Sequence, residues 1–126
     1  MLLSNDPGKE AKKMYQYKIK KFDRIIDGDT VDILIDVGFD ITIKQRVRLL
    51  DIDAAEVRTK DLEEKERGLA AKDWLEKELS REGEWIINTT KDDKYGRILG
   101  ELYLVGDPVT VNEKMINEGI AEVYIK

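Results

Sequence analysis

Three carboxylates and two guanidiniums at the ends of predicted strands are, together, enough to hydrolyse a phosphodiester. The carboxylates are Asp29 in "IDGDTV" and Asp53 and Glu56 in "RLLDIDAAE"; the guanidiniums are Arg48 in that second stretch and Arg97 in "DKYGR". Asp29 and Asp53 offer anionic oxygens to Ca²⁺ or a similar hard cation, which takes oxygen ligands at about 2.3–2.6 Å and accepts water and a backbone carbonyl in its other positions. Such an ion polarises a phosphoryl oxygen and helps assemble the attacking water. Glu56 can orient that water and accept its proton. Arg48 and Arg97 can grip phosphate oxygens through a planar fork and bind more strongly as charge grows in the transition state.

Each residue also has an ordinary explanation. Arg48 reads as an exposed strand residue, Asp53 as a turn former, Glu56 as a solvated charge and Arg97 as a surface cation. The set is informative because all its members fall at strand ends and loops, where a barrel mouth places its site. Asp29 is the sharpest case. In "DTVDILIDV" it shares the parity of Val31, Ile33, Ile35 and Val37, the buried face of a period-two strand. A carboxylate aimed that way loses hydration and needs a cation, a set of hydrogen bonds or an open end of the barrel.

Composition narrows the chemistry further. With no cysteine and no histidine in 126 residues, disulfides, the usual zinc sites, thiol nucleophiles and imidazole triads are excluded. The net charge of -5 argues against tight, constitutive nucleic-acid binding. The average hides a local excess of Lys and Arg between Lys9 and Arg24 and an acidic lean over 61–84. No apolar run is long enough to cross a bilayer, and the opening "MLLSNDPGKEAKK" lacks the pattern of a signal peptide. The expectation is a cytoplasmic bacterial or phage protein with no membrane partner, or a secreted one if a signal has been removed.

The elements that must hold these residues can be read from periodicity. Residues 1–14 form an expected flexible arm, and 15–126 a single domain. Strands are expected over 15–27, over 30–37 and through "ITIKQRVRLLDID", and the final "IAEVYIK" is expected to be extended. A helix follows, with Ala70, Ala71, Trp74, Leu75 and Leu79 at helical spacing, a start near Gly68 and Gly83 as its C′ glycine. "GEWIINTT" and "RILGELYLV" give two more strands. "TVNE" has the capping-box form and opens a short helix that Gly119 ends. The order fits a mainly β, α+β fold: a five-stranded OB-type barrel with a helix between strands three and four and a short C-terminal helix.

In order and spacing, "IDGDTV", "RLLDIDAAE", "DKYGR" and "VNEKMINEGIAEV" resemble the staphylococcal nuclease (thermonuclease) family, from about Tyr17 to the last residue. The resemblance implies a Ca²⁺-dependent, sugar-nonspecific nuclease domain on an OB fold, a monomer acting on DNA or RNA. It makes Asp29 and Asp53 calcium ligands together with the Ala54 carbonyl, Glu56 the general base, and Arg48 and Arg97 the phosphate-binding arginines. Arg46 is then a solvent-facing neighbour. Lys94 and Tyr95 match positions that contact the terminal phosphate of a bound nucleotide. Tyr124 either stacks near the base or packs on the barrel, and Asp27 either orders the turn or holds a metal-bound water. The family's Asp-Thr-Pro-Glu is here Asp53-Ala54-Ala55-Glu56, so the loop lacks the rigidity of proline. The alternative is a noncatalytic OB module that binds single-stranded nucleic acid or a protein.

Overall fold

Val31, Ile33 and Ile35 are each almost wholly buried, and this inward row builds the second of five barrel strands. The computed structural model describes residues 15–90 and 98–124. In chain order the elements are β1 (Tyr15–Asp27), β2 (Thr30–Asp36), β3 (Thr42–Leu49), β4 (Ile52–Asp53), α1 (Leu62–Leu79), β5 (Trp85–Thr89), β6 (Ile98–Leu104), α2 (Val111–Asn117) and β7 (Glu122–Val123). The barrel closes in the order β1-β2-β3-β6-β5, and α1 crosses from the third of these strands in sequence to the fourth. β3 and β6 run parallel, and every other barrel pair is antiparallel. This is the α+β barrel expected from the sequence. The anticipated arm over 1–14 lies outside the described residues.

The core joins Val31, Ile33, Ile35, Val47, Leu49, Ile87 and Leu102 of the barrel with Leu75 of α1 and Met115 of α2. Phe22 and Trp85 meet edge to face at 5.3 Å on this core. β1 is long and accommodates β2 through three register shifts, which bend it around the barrel.

Two helix boundaries differ from the sequence expectation. α1 begins at Leu62, six residues before Gly68, because the Asp61 side chain accepts from the Glu63 and Glu64 amides and two acids occupy the first turn. It ends at Leu79 with Ser80 as a right-handed cap, so Gly83 is not its C′ residue. Gly83 instead has φ 139° in the approach to β5, with no room beside Leu104 for a Cβ. The expected third strand also breaks after Leu49, so that Ile52–Asp53 forms a separate β4, which pairs with β7 within the expected final extended stretch and ties Ile52 to Val123 and Asp53 to Glu122. Two-residue strands have no periodicity to read.

Asn112 carries a junction that sequence alone does not reveal. It is buried at the start of α2, where its side-chain carbonyl accepts from the Leu102 amide and its Nδ2 donates to the Leu50 and Gly100 carbonyls. One side chain thereby joins α2, β6 and the exit from β3.

A second junction is ionic. Asp107 accepts from Arg81 at 2.7 and 3.0 Å and from Lys114 at 2.7 Å, and Glu78 takes Arg81 at 2.8 Å and Lys114 at 2.6 Å. The Arg81 bonds, then the Lys114 bond, hold the Asp107 carboxyl well below the usual range. A depressed native pKa stabilises the fold above the unfolded value, about 3.9, and that stabilisation is lost as pH falls toward the native one. Thermal melts of wild type and Asp107→Asn should therefore be separated by a constant gap from pH 7 to about pH 5, and the gap should close below about pH 4. A gap unchanged at pH 3 would show that the carboxylate charge is not what Asp107 contributes.

Candidate active site

Asp29 occupies the second position of the two-residue turn between β1 and β2 and points inward, as its parity requires. Burial leaves it three partners. Its Oδ1 accepts from the Thr30 hydroxyl at 2.9 Å, its Oδ2 accepts from the Ala54 amide at 3.0 Å, and the Arg48 guanidinium lies 3.4 Å away. Its main-chain carbonyl also accepts from the Leu49 amide at 2.8 Å, which fixes the turn to the end of β3. The preceding Gly28 has no space for a side chain: a Cβ there would lie 2.7 Å from that of Ala71 and 3.0 Å from that of Ala54. Glycine in "DGD" therefore lets α1 and the Ala54 loop close over the turn.

Arg48 faces outward from β3, opposite Thr30 in register, yet its side chain is only 13% exposed. Its Nη1 donates to the Ile52 carbonyl at 2.9 Å and the Leu49 carbonyl at 3.3 Å, and its Nη2 donates to Asp53 at 3.4 Å. One guanidinium thus stands between Asp29 and Asp53, at 3.4 Å from each. Both distances exceed the roughly 2.7–2.9 Å of a strong charge-assisted bond, and the shortest bond of the guanidinium is the one to the Ile52 carbonyl. The Tyr124 ring stacks over the same guanidinium at 5.6 Å. Tyr124 is kept there by the hydrogen bond its amide donates to the Asp51 carbonyl at 2.9 Å, next to the β4–β7 pair.

Asp53 ends β4, and Glu56 is exposed on the loop that runs from there toward α1. Two contacts position that loop. Asp27 Oδ1 accepts from the Val57 amide at 3.2 Å, and Gly68 of α1 approaches so closely that an added Cβ would sit 2.4 Å from the Glu56 carbonyl oxygen. Glycine inside a helix costs about 1 kcal/mol relative to alanine. Here it admits the Glu56 backbone. Asp53 and Glu56 line a concavity of about 330 Å³ shared with Glu64 and Arg67 of α1 and with Gly119–Glu122. Arg67 and Glu64 were not among the sequence candidates, because positions on the polar face of a helix carry no signal of what faces them.

The structure therefore gathers Asp29, Asp53 and Tyr124 around the Arg48 guanidinium, with the Ala54 amide bonded to Asp29 and Asp27 bonded to the loop that carries Glu56. Arg97, Lys94 and Tyr95 lie outside the described residues. Arg46, one outward position before Arg48, forms a bidentate pair with Asp32 at 2.8 and 3.1 Å, and its side chain is half exposed. That hydrogen-bonded pairing is the main reason the Asp32 carboxyl titrates below its ordinary value. Among the described residues no three acidic side chains converge as a metal cluster. The donors present are two carboxylates and nearby backbone carbonyls, all hard oxygens. Asp29 retains free lone pairs beyond its two hydrogen bonds, since a carboxylate has about four acceptor positions. This donor set suits a hard cation that completes its shell with water.

The profile of the staphylococcal nuclease homologue family matches residues 46–126. Over 110 residues the chain is 36% identical to Protein ParB of Escherichia coli, an alignment covering 80% of this chain and 54% of that protein. Over 101 residues it is 33% identical to an uncharacterized endonuclease of Escherichia coli, covering 80% of this chain and 58% of that one. The chain spans little more than half the length of either relative.

Proposed function

The chain belongs to the staphylococcal nuclease homologue family, and on that premise we propose that it is a calcium-dependent nuclease cutting DNA or RNA with little sequence specificity. The observation that carries this reading is the convergence of Asp29 and Asp53 on one guanidinium beside the Glu56 loop. One Escherichia coli relative is named as an uncharacterized endonuclease, which is in keeping with this reading.

Asp29, Asp53 and the Ala54 carbonyl would hold Ca²⁺, which supplies positive charge to polarise a phosphoryl oxygen and ease deprotonation of water. The protein's own groups do the rest. Glu56 takes the proton of the water that attacks phosphorus, and a P–O ester bond breaks as the new one forms. Arg48 offers its planar fork to the phosphate oxygens. Arg97, near in sequence to Lys94 and Tyr95, supplies the second fork. Family resemblance favours departure of the 5′-oxygen, leaving a 3′-phosphate.

Gly68 is a positioning residue in this scheme. In Gly68→Ala the new methyl must displace the Glu56 carbonyl or tilt α1. A shift of about 1 Å in a group that orients water lowers kcat on the order of 10²-fold, with strand affinity unchanged. Separate measurement of kcat and KM checks this. A fall in affinity with kcat intact would place the effect on binding rather than on Glu56.

The function itself is tested on labelled single-stranded DNA and RNA with Ca²⁺ or with EDTA. Cleavage in calcium that stops in EDTA is expected. A folded protein that retains the strand but cuts it at no calcium concentration would be a binding module instead.

A further inference from the structure

The shortest ladder of the fold carries an unfavourable rung. β4 and β7 pair through two rungs, Ile52 with Val123 and Asp53 with Glu122. Directly opposed residues of an antiparallel pair hold their side chains on one face, with Cβ atoms about 4.5–5.5 Å apart, and like charges there work against the pairing. Little else in the ladder offsets this, since Asp53, Glu122 and Val123 are exposed and Ile52 alone is buried. An opposite charge at 122 would close the rung as an ion pair. The sequence sets a second carboxylate there instead.

That rung faces the candidate active site. Tyr124, two residues beyond Glu122 and so on the same side of the extended chain, lays its ring over Arg48 at 5.6 Å, and Arg48 stands 3.4 Å from Asp53. Glu122 also lines the concavity that holds Asp53, Ala54 and Glu56. Arg67 shares that lining, yet no salt bridge joins it to Glu122. Charge is what the two ligand carboxylates are short of. Asp29 and Asp53 share one guanidinium, so the three groups together carry a single net negative charge. The affinity of an oxygen site for Ca²⁺ is set in part by how many charged groups surround it.

We infer that Glu122 is a positioning residue for the calcium ion: its carboxylate, facing Asp53 across the ladder, accepts from water on the ion and restores the negative charge that Arg48 cancels. A cation on Asp53 turns the repulsive rung into an attractive one, so the β4–β7 pair tightens on loading. The inference rests on the nuclease reading for the ion at Asp53, and it adds a residue from β7 that the spacing of the catalytic set does not single out.

The test measures calcium affinity by titration calorimetry, and melting temperature in Ca²⁺ and in EDTA, for wild type, Glu122→Gln, Asp53→Asn and Glu82→Gln. Glu82 is exposed on the approach to β5, and its substitution removes the same charge away from the site. Glu122→Gln should raise the calcium Kd on the order of tenfold, as expected for the loss of one carboxylate a few Å from a divalent ion. In EDTA it should melt at the same temperature as wild type or higher, and at a fixed calcium concentration it should gain less. Glu82→Gln should leave the Kd within about twofold. An unchanged Kd in Glu122→Gln, while Asp53→Asn loses affinity, would overturn the inference and leave the nuclease reading standing. An equal loss in Glu82→Gln would overturn it as well, as would a lower melting temperature of Glu122→Gln in EDTA, which would mean that Glu122 serves the ladder itself. Calcium bound equally by wild type and Asp53→Asn, or bound by neither, would remove the ion from this site and take both readings with it. Calcium held through Glu122 by a protein that cuts no strand would keep the inference and end the nuclease reading.

Discussion

Arg48→Lys will slow cleavage by roughly 10²–10³-fold at saturating calcium in a protein that remains folded. Lysine keeps a cation beside buried Asp29 but replaces a planar fork with a single ammonium. In the native structure that fork reaches the Ile52 and Leu49 carbonyls and both carboxylates at once, so it is already shaped to bridge two oxygens. Arg48→Ala is the poorer probe. It would leave Asp29 buried with no cation, and breaking a buried pair in that way costs about 3–5 kcal/mol of stability. Single-turnover rates beside melting curves separate the two variants. A wild-type rate in Arg48→Lys would mean that only charge matters there.

Glu56→Gln is the second large effect, a loss of about 10²–10⁴-fold in rate. The substitution is nearly isosteric and falls on an exposed loop residue, so melting temperature and strand affinity should not change. The loop is fixed by its backbone, through Asp27 and Gly68, rather than by the Glu56 carboxylate. A rate within a few-fold of wild type would assign the proton transfer to another base.

The legible part of the fold was the part with a period. Alternation in β2 located both the core row and the inward direction of Asp29, and the helical spacing of Ala71, Leu75 and Leu79 located α1. Features fixed by single contacts were not legible. β4 and β7 are two residues each, and their pairing is what brings Tyr124 to Arg48. Asn112 reads as an ordinary helix residue until its three buried bonds are seen. Gly68 weakens the helix signal for a reason that lies in the Glu56 loop.

The candidate site was similarly divided. Residue type and spacing singled out Asp29, Arg48, Asp53 and Glu56 before any geometry, and the structure draws the first three together. What spacing could not convey is that Arg48 turns its donors inward, onto carbonyls and the two carboxylates. An arginine on an outward strand position gives no sign of which neighbour it covers.

The central claim is that Asp29 and Asp53 hold the ion that makes cleavage possible. Asp53 is the cleaner of the two to change, because its side chain is 59% exposed and its side-chain partner among the described residues, Arg48, lies 3.4 Å away. Calcium titration of single-strand cleavage by wild type and Asp53→Asn tests the claim most directly. The account predicts no cleavage without the ion and a half-saturating calcium concentration raised at least about tenfold in the variant, since removing a ligand charge weakens an oxygen site. An identical titration curve, or cleavage that persists in EDTA, would contradict it.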